Sequence, residues 1–211
     1  MGMASPDAPI SLYRVPYPAP PEDVVRYTHI HLSTLKTNPE AFFAAFEDAA
    51  KFTPQQWNER VNADGRTTFA ARRSAAIAAG DANDEWLGTL SVLHPRVLRP
   101  MTDVFPHIPR VADQVERNEI DRYLLIGVWV HPSARGKGVA QMMIKAALDL
   151  VKAEPGEPGR KMIFLELYTN NVAAKTLYTK LGFLEETDCE GIQEGHTSMT
   201  ILGCGLERSY R

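Results

Sequence analysis

The sequence is poor in cysteine, in excess charge of one sign and in long hydrophobic runs. Its two cysteines, Cys189 and Cys204, form no C-x-x-C spacing, so neither a disulfide framework nor a metal site is predicted. No apolar run approaches the ~20 residues that a membrane span needs, and the proline-rich residues 1–21 lack the apolar core of a secretory signal. The net charge of -3 at pH 7 provides no general attraction to nucleic acid or anionic membranes. We therefore expect a cytoplasmic protein without a nucleic-acid or membrane partner.

What the sequence does contain is ordinary for a globular protein. It has 211 residues, of which 44% are hydrophobic and 23% are charged, enough to bury a core. We expect a single domain over residues 1–211, with an N-terminal extended arm over 1–21 and an inserted loop over 95–118. The loop is predicted because four prolines interrupt regular structure there: Pro95, Pro100, Pro106 and Pro109. Such a long loop is typical of a functional lid, and a short helix is expected near 112–117.

In the first half of the chain, hydrophobic spacing predicts strands at both ends with helices between them. Asn38-Pro39 is expected to stop the first helix, and Thr53-Pro54 has the pattern of an N-cap followed by proline at the first helical position. The predicted elements are a strand over 10–15, helices over 23–38, 40–52 and 54–61, and strands over 67–74 and 85–94 with a hairpin connection at 80–84.

In the second half, strands and helices alternate. The predicted elements are a strand over 119–130, a helix over 138–153, a strand over 162–168, a helix over 171–181, and strands over 183–186 and 198–206. The first of these strands is nearly continuously apolar, as in strands buried on both faces. Two strands joined by a helix should be parallel with a right-handed crossover. The loop after the first strand would then lie where α/β sheets bind ligands.

That loop carries two glycines among basic residues at the mouth of a predicted helix. Gly136 and Gly138 let backbone N–H groups approach a ligand closely, and the helix start offers unsatisfied donors and a positive dipole end. Arg135 and Lys137 add positive charge. The combination predicts a pyrophosphate-binding loop.

Two familiar phosphate motifs do not fit this loop. The P-loop pattern fails because Lys137 is followed by Gly138, and the dinucleotide fingerprint fails because Gln141 occupies a glycine position. A nucleotide-phosphate-binding protein that uses the glycine loop in another way stays an alternative at this point.

Two motifs together resemble the GNAT superfamily of acyl-CoA-dependent N-acyltransferases. Arg-Gly-Lys-Gly-Val-Ala over 135–140, after Val-His-Pro, is similar to its signature [Arg/Gln]-x-x-Gly-x-[Gly/Ala]. The segment 171–183 resembles its second signature, Asn-x-x-Ala-x-x-Leu-Tyr-x-x-x-Gly-Phe. The resemblance covers residues 67–206 by element order and is specific over 120–183.

The resemblance implies an α/β (α+β) fold with a mixed, mostly antiparallel central sheet flanked by helices. Its two central strands, here over 120–130 and 162–168, are expected to splay apart and admit the pantetheine of acetyl-CoA, the acyl donor. Asn171 is expected to hydrogen-bond this arm. Backbone groups of nine further residues are implied to bind the coenzyme: Val128, Trp129, Val130, Arg135, Gly136, Lys137, Gly138, Val139 and Ala140.

Two side chains are candidates for catalysis. Tyr178 matches a tyrosine that serves many family members as general acid toward the departing thiolate, although a core aromatic is the simpler alternative. Glu166 lies in an apolar strand, where an unpaired carboxylate is costly, and matches a glutamate used as base in the branch that acetylates N-terminal amines. Burial is expected to raise its pKa; an outward-facing carboxylate is the alternative. Glu119 and Asp121 are rival bases acting through water.

The reaction implied is direct transfer of acetyl from acetyl-CoA to a primary amine, with the N–H of Val130 stabilising the oxyanion. The acceptor, a small molecule or a peptide, is not specified. Family members build acceptor sites from segments that correspond to 23–61 and 95–118. The first carries an aromatic set that either lines an acceptor pocket or packs in the core: Phe42, Phe43, Phe46, Phe52 and Trp57.

Three further expectations stay open. A non-catalytic acyl-CoA-binding or sensing module would share the fold, and a longer or different acyl chain would use the same site. Family members often dimerise through terminal strands, so a homodimer is also an expectation.

Overall fold

The computed structural model describes residues 9–73, 85–99, 109–155, 160–185 and 199–207. Its strands are β1 (Ile10–Arg14), β2 (Arg66–Arg73), β3 (Glu85–Leu93), β4 (Asp121–Val130), β5 (Arg160–Tyr168), β6 (Leu184–Glu185) and β7 (Met199–Glu207). Its helices are α1 (Pro21–Thr37), α2 (Phe46–Ala49), α3 (Pro54–Val61), α4 (Pro95–Leu98), α5 (Pro109–Glu116), α6 (Val139–Ala153) and α7 (Val172–Lys180). Among the helices in these ranges, none has the length and apolar character to cross a membrane.

The chain forms two compact units. Unit 1 comprises Met1–Ser91 and Gly127–Ile144, and unit 2 comprises Val92–Ile126 and Lys145–Arg211. The strand order is β1-β2-β3-β4 in unit 1 and β4-β5-β7-β6 in unit 2, so β4 contributes to both. The mixed, mostly antiparallel sheet with its helices confirms the predicted fold class. The single domain over 1–211 stays a prediction.

Unit 1 contains the antiparallel strand pair β1 and β2 and the apolar faces of α1 and α3. Strands β1 and β2 are antiparallel, with Ile10 opposite Arg73 and Arg14 opposite Phe69. Helix α3 begins at a capping box, because Thr53 accepts from the backbone N–H of Gln56 and the Gln56 side chain accepts from that of Thr53, an arrangement that contributes about 1 kcal/mol. The buried residues of the two helices pack in one core: Val24, Tyr27, Ile30, Leu35, Trp57 and Val61.

Unit 2 contains the predicted parallel pair. Strands β4 and β5 run parallel with Asp121 opposite Lys161 and Leu124 opposite Phe164. Strand β5 then pairs along its whole length with antiparallel β7. One cluster of its core contains the buried side chains Leu98, Ile120, Leu124, Met162 and Phe164.

A buried lysine closes the end of α6. Lys161 is only 1% exposed, and its Nζ donates to the carbonyl oxygen of Val151 over 2.8 Å and to that of Glu154. The last carbonyls of a helix lack intrahelical donors and carry the negative end of the dipole. The ammonium group therefore satisfies both hydrogen bonds and charge there.

Two sequence predictions differ from the structure, and one lies outside the described residues. The helix over 40–52 is wrong: a short 3-10 turn (Pro39–Ala41) is followed by extended backbone at Phe42 and by the single turn α2. Phe42 and Phe46 both pack on the unit 1 core from this irregular path, whereas Phe43 is 60% exposed. The loop over 95–118 contains α4 and α5, since Pro95 and Pro109 each start a helix. The connection at 80–84 lies outside the described residues.

His31 makes the stability of unit 1 sensitive to acid. Its ring stacks on Tyr27 with centroids 5.6 Å apart and meets the edge of Trp57 at 5.4 Å. Burial, and then the charges of Arg60 and Arg66, lower the pKa of His31 to about 4. The unfolded chain takes up this proton near pH ~6.5. The free energy of unfolding should therefore be fully retained above that pH and fall by about 3 kcal/mol as the pH drops to about 4.

Urea unfolding of the wild type and of His31→Gln, followed between pH 7.5 and 4, checks this expectation. In His31→Gln the free energy of unfolding should decrease less between pH 7.5 and 4 than in the wild type. His29→Gln, at an exposed position on the same helix, should show the same decrease as the wild type. A decline of the same size in His31→Gln would contradict the assignment.

Candidate active site

The anion loop, residues 135–140, follows the end of β4 in unit 1. The N–H of His131 donates to the carbonyl of Leu87 in β3 over 2.8 Å. A 3-10 turn (Pro132–Ala134) then redirects the chain, with Nδ1 of His131 accepting from the N–H of Ser133. This turn brings the chain to the start of α6, as the sequence predicts.

The two glycines of the anion loop adopt conformations that other residues rarely adopt. Gly136 has φ +73° and Gly138 has φ +76°, and a Cβ atom added at either would meet nothing within 4 Å. The carbonyl of Gly138 accepts from the N–H of Met142 over 2.9 Å, so α6 begins there and its first N–H groups lack intrahelical acceptors. Lys137 is exposed beside them. Left-handed backbone, open space and free donors together are the features that suit a backbone segment to anion binding.

Substitution of Gly138 by alanine is expected to weaken binding of acetyl-CoA by about 10–100-fold. An L-residue in the left-handed region costs roughly 1–2 kcal/mol, and each backbone hydrogen bond to a charged group that is lost costs ~1.5–3 kcal/mol. Isothermal titration calorimetry measures the change. Gly65→Ala is the matched control, because Gly65 has φ +79° in a turn outside the loop. Equal losses in both variants would mean that backbone strain alone is responsible.

The side chain of Arg135 contacts protein rather than open solvent alone. Its Nε donates to the carbonyl of Val130 over 3.0 Å, and its Nη2 donates to Oδ1 of Asn38 over 2.6 Å. The indole Nε1 of Trp129 donates to the same oxygen over 3.1 Å. Asn38, at the end of α1, therefore ties that helix to the strand end and to the anion loop. The sequence identified Asn38 only as a helix stop.

Asn38→Ala is expected to destabilise the protein by about 1–3 kcal/mol, because it leaves the buried indole N–H of Trp129 and a donor of Arg135 without their acceptor. It should also weaken acetyl-CoA binding, since Arg135 begins the anion loop. Urea unfolding and calorimetry provide the two measurements. The control is Asn58→Ala, which removes an exposed amide from α3; a loss no larger than in this control would contradict the role.

Strand β4 contains a second feature that the sequence pattern did not reveal. Gly127 has φ +62° and is exposed, which interrupts the regular strand immediately before Val128. Further on, the N–H of His131 points to β3. Because neighbouring residues of a strand direct their N–H groups to opposite edges, the N–H of Val130 points away from β3.

In unit 2, the parallel ladder between β4 and β5 ends early. Its last pair is Leu124 and Phe164, although β5 continues to Tyr168. Glu166 lies beyond this pair, half-buried, and burial raises the pKa of its carboxyl group. Within the described ranges its carboxylate has no hydrogen-bond or ion-pair partner. A carboxylate in this setting is suited to accept a proton.

The rival bases are placed differently. Asp121 lies at the paired end of the ladder, opposite Lys161; burial raises its pKa, and the charges of Arg99 and Lys161 oppose that rise. Glu119 is exposed and pairs with Arg117 at 2.9 Å. Neither lies beyond the last pair of the ladder, Leu124 and Phe164, so Glu166 is the better-placed carboxylate within unit 2.

The second signature forms α7 and its return. Oδ1 of Asn171 accepts from the N–H of Ala174 over 3.2 Å, so this residue caps the helix. Tyr178 is buried, and burial raises the pKa of its phenol. Gly182, with φ +91°, turns the chain so that Phe183 meets the Tyr178 ring edge-on at 5.5 Å. The spacing of the signature therefore places Asn171 at the cap of α7, Tyr178 in a buried position and Phe183 against the Tyr178 ring.

Comparison with known proteins identifies the family. The sequence model of the Acetyltransferase (GNAT) family matches residues 36–183, well over half of the chain. The chain therefore belongs to the GNAT family of acetyltransferases. This membership confirms the predicted family and the predicted class of enzyme, an acyl-CoA-dependent N-acetyltransferase. A search of curated proteins found no match.

Solved structures share the fold at low sequence identity. NAA60 of Arabidopsis thaliana in complex with acetyl-CoA has a TM-score of 0.61 at 14% identity over 94% of this chain and 99% of that chain. A GNAT-family acetyltransferase of Streptococcus pneumoniae has a TM-score of 0.58 at 18% identity, covering 93% and 99%. The ribosomal-protein-S18-alanine N-acetyltransferase of Escherichia coli has a TM-score of 0.53 at 14% identity, covering 96% and 97%.

Proposed function

We propose that this acetyltransferase moves the acetyl group of acetyl-CoA to a primary amine by direct attack. The observation that carries the proposal is the anion loop, where Gly136 and Gly138 hold left-handed backbone beside the free donors of α6. The donors of Arg135–Ala140 would bind the diphosphate of the coenzyme, and backbone groups of Val128–Val130 and Asn171 would bind its pantetheine arm. The acetyl-CoA complex of NAA60 supports the choice of co-substrate.

The residues we assign to the chemistry have complementary roles. Glu166 takes a proton from the substrate ammonium, which leaves a neutral amine. Its nitrogen lone pair attacks the thioester carbonyl while the N–H of Val130 donates to the developing oxyanion. As the C–S bond breaks, the phenol of Tyr178 gives its proton to the thiolate. The nitrogen carries a positive charge once the C–N bond has formed, and it gives its second proton to the Tyr178 phenolate. The products are an amide and free coenzyme A, and the proton held by Glu166 passes to solvent.

The acceptor is an amine, and we propose that it is a small molecule or a peptide. A thiol-release assay tests the function: acetyl-CoA is offered with amino acids, polyamines, arylamines and peptides with free N-termini. Thiol release with one of these classes, reduced about 10–10³-fold in Tyr178→Phe, supports the proposal. Coenzyme binding without thiol release would favour a sensing module, and competition by ATP in a thermal-shift assay would favour a nucleotide-binding protein.

We also propose a cytoplasmic location and no nucleic-acid or membrane partner. The content of only two cysteines and the net charge of -3 support this. A homodimer belongs to the same proposal, and sedimentation equilibrium measures it directly.

A further inference from the structure

The guanidinium of Arg66, at the start of β2 in unit 1, lies over the Tyr27 ring at 5.2 Å from its centroid, and among the described residues its hydrogen-bond partners are all hydroxyl groups. Its Nη2 donates to the hydroxyl of Tyr27 over 2.6 Å and to that of Ser91 over 2.9 Å. Its Nε donates to Ser91 over 3.2 Å and reaches Thr68 at 3.4 Å. Within the described part of the chain no carboxylate pairs with this guanidinium. The buried carboxylate of α1, Asp23, is instead bonded by Tyr13 and Arg26.

The charged side chain that acts on the pKa of Arg66 is another arginine, Arg60. Burial lowers the pKa of Arg66, Tyr27 opposes that shift and Arg60 adds to it, and both arginines lower the pKa of His31. Nε of Arg60 is itself buried without a hydrogen-bond partner among the described residues. A desolvated cation without a countercharge is costly, and neutral hydroxyls compensate only part of that cost.

One arm of the guanidinium remains available. Nη1 of Arg66 makes no hydrogen bond within the described ranges, although Nε and Nη2 are both used. Arg66 lines a cavity of about 220 Å³, larger than a phosphate or a small carboxylate requires. The other residues that line it are Arg14, Val15, Pro16, Tyr17, Val61, Thr67 and Thr68.

We propose that this cavity of unit 1 binds a small anion, a phosphate or a carboxylate, through the free Nη1 arm of Arg66. Arg14 adds a second positive charge at the cavity. None of the residues that line this cavity belongs to the anion loop, which we assign to the coenzyme. Guanidinium groups pair with both anion types through parallel N–H bonds. The bound anion would supply the negative charge that no carboxylate of the described residues provides to Arg66.

The test is the melting temperature of the full chain with sodium phosphate, with sodium succinate, and with sodium chloride at equal ionic strength. At ten times its Kd, a bound anion should raise Tm by about 4 °C beyond the chloride control. Phosphate and succinate separate the two anion types. A response no larger than that to chloride would overturn the proposal.

Substitutions test whether the rise in melting temperature comes from anion binding at this cavity. Arg66→Lys keeps the charge but removes the forked geometry, and it should weaken anion binding by about 10-fold. Arg72→Lys on the same strand is the matched control and should keep the response. Gly138→Ala should also keep it, because its change is in the anion loop; loss there with retention in Arg66→Lys would overturn the proposal.

Should Arg66→Lys fail to fold, Arg14→Gln provides the second variant. Arg14 is exposed, and within the described residues its side chain makes no hydrogen bond or ion pair, although its backbone pairs with Phe69 in the β1–β2 ladder. Its loss should weaken anion binding by about 3-fold through the missing charge. An unchanged Kd in this variant would overturn the proposal.

Discussion

Replacement of Glu166 by glutamine is expected to lower kcat by about 10²–10⁴-fold, the range that a positioned general base contributes. Glutamine has nearly the same size and keeps the strand pairing of β5, but it cannot accept a proton from the substrate ammonium. Steady-state thiol release measures kcat, and calorimetry with acetyl-CoA checks that coenzyme binding is retained. The effect should therefore be on turnover, with Kd for the coenzyme unchanged.

The pH dependence of the rate distinguishes a general base from a residue that only supports the structure, because only the loss of a base removes a titration from the profile. A base works only when it is deprotonated, and burial raises the pKa of Glu166. The wild-type rate should therefore fall as the pH drops through this raised pKa, and Glu166→Gln should lack that acid limb. Glu119→Gln, at an exposed residue paired with Arg117, is the matched control. Loss of the limb in Asp121→Asn instead would assign the base to Asp121.

Substitution of Tyr178 by phenylalanine is expected to lower kcat by about 10–10³-fold, in the range of general-acid effects. Phenylalanine keeps the ring that meets Phe183 at 5.5 Å, so packing should survive while the proton donor is lost. Because burial raises the phenol pKa, the group stays protonated at neutral pH and is ready to donate. Thiol release under saturating acetyl-CoA provides the measurement.

The matched control for this variant is Tyr123→Phe. Tyr123 is a buried tyrosine of unit 2 whose hydroxyl donates to Glu154 over 2.9 Å. Its loss should reduce the free energy of unfolding by about 1 kcal/mol without changing kcat. Unchanged turnover in Tyr178→Phe would dismiss the assigned role, because the phenol would then not protonate the leaving thiolate.

Long elements with a clear hydrophobic period were predictable from the sequence. Strand β4 is almost continuously apolar and α6 presents one apolar stripe, so both follow from local pattern alone. The segment 40–52 was not predictable in this way. Its phenylalanines are spaced as on a helix, but Phe42 is extended and reaches the core by tertiary packing, which a local pattern does not encode.

The candidate site likewise contains features that a local sequence pattern predicts and features that depend on contacts distant in sequence. The backbone conformation of the anion loop was predictable because glycine beside a helix start has a specific conformational use, and both glycines do adopt positive φ; its binding role stays a prediction. The contact of Asn38 with Arg135 joins residues 97 positions apart, and no local signal announces it. Gly127 was overlooked because a single glycine in a strand is also compatible with regular pairing. The roles of Glu166 and Tyr178 stay predictions.

The capping of α6 by Lys161 has a chemical consequence for an enzyme that handles activated acyl groups. Thioesters acylate unprotonated, accessible amines, and lysines on protein surfaces are open to such adventitious modification. Lys161 is sealed from the solvent with its Nζ committed to two carbonyl oxygens. Exposed Lys137 has no such protection. Self-acylation would thus mark the lysine beside the coenzyme loop and spare the one that secures the helix end.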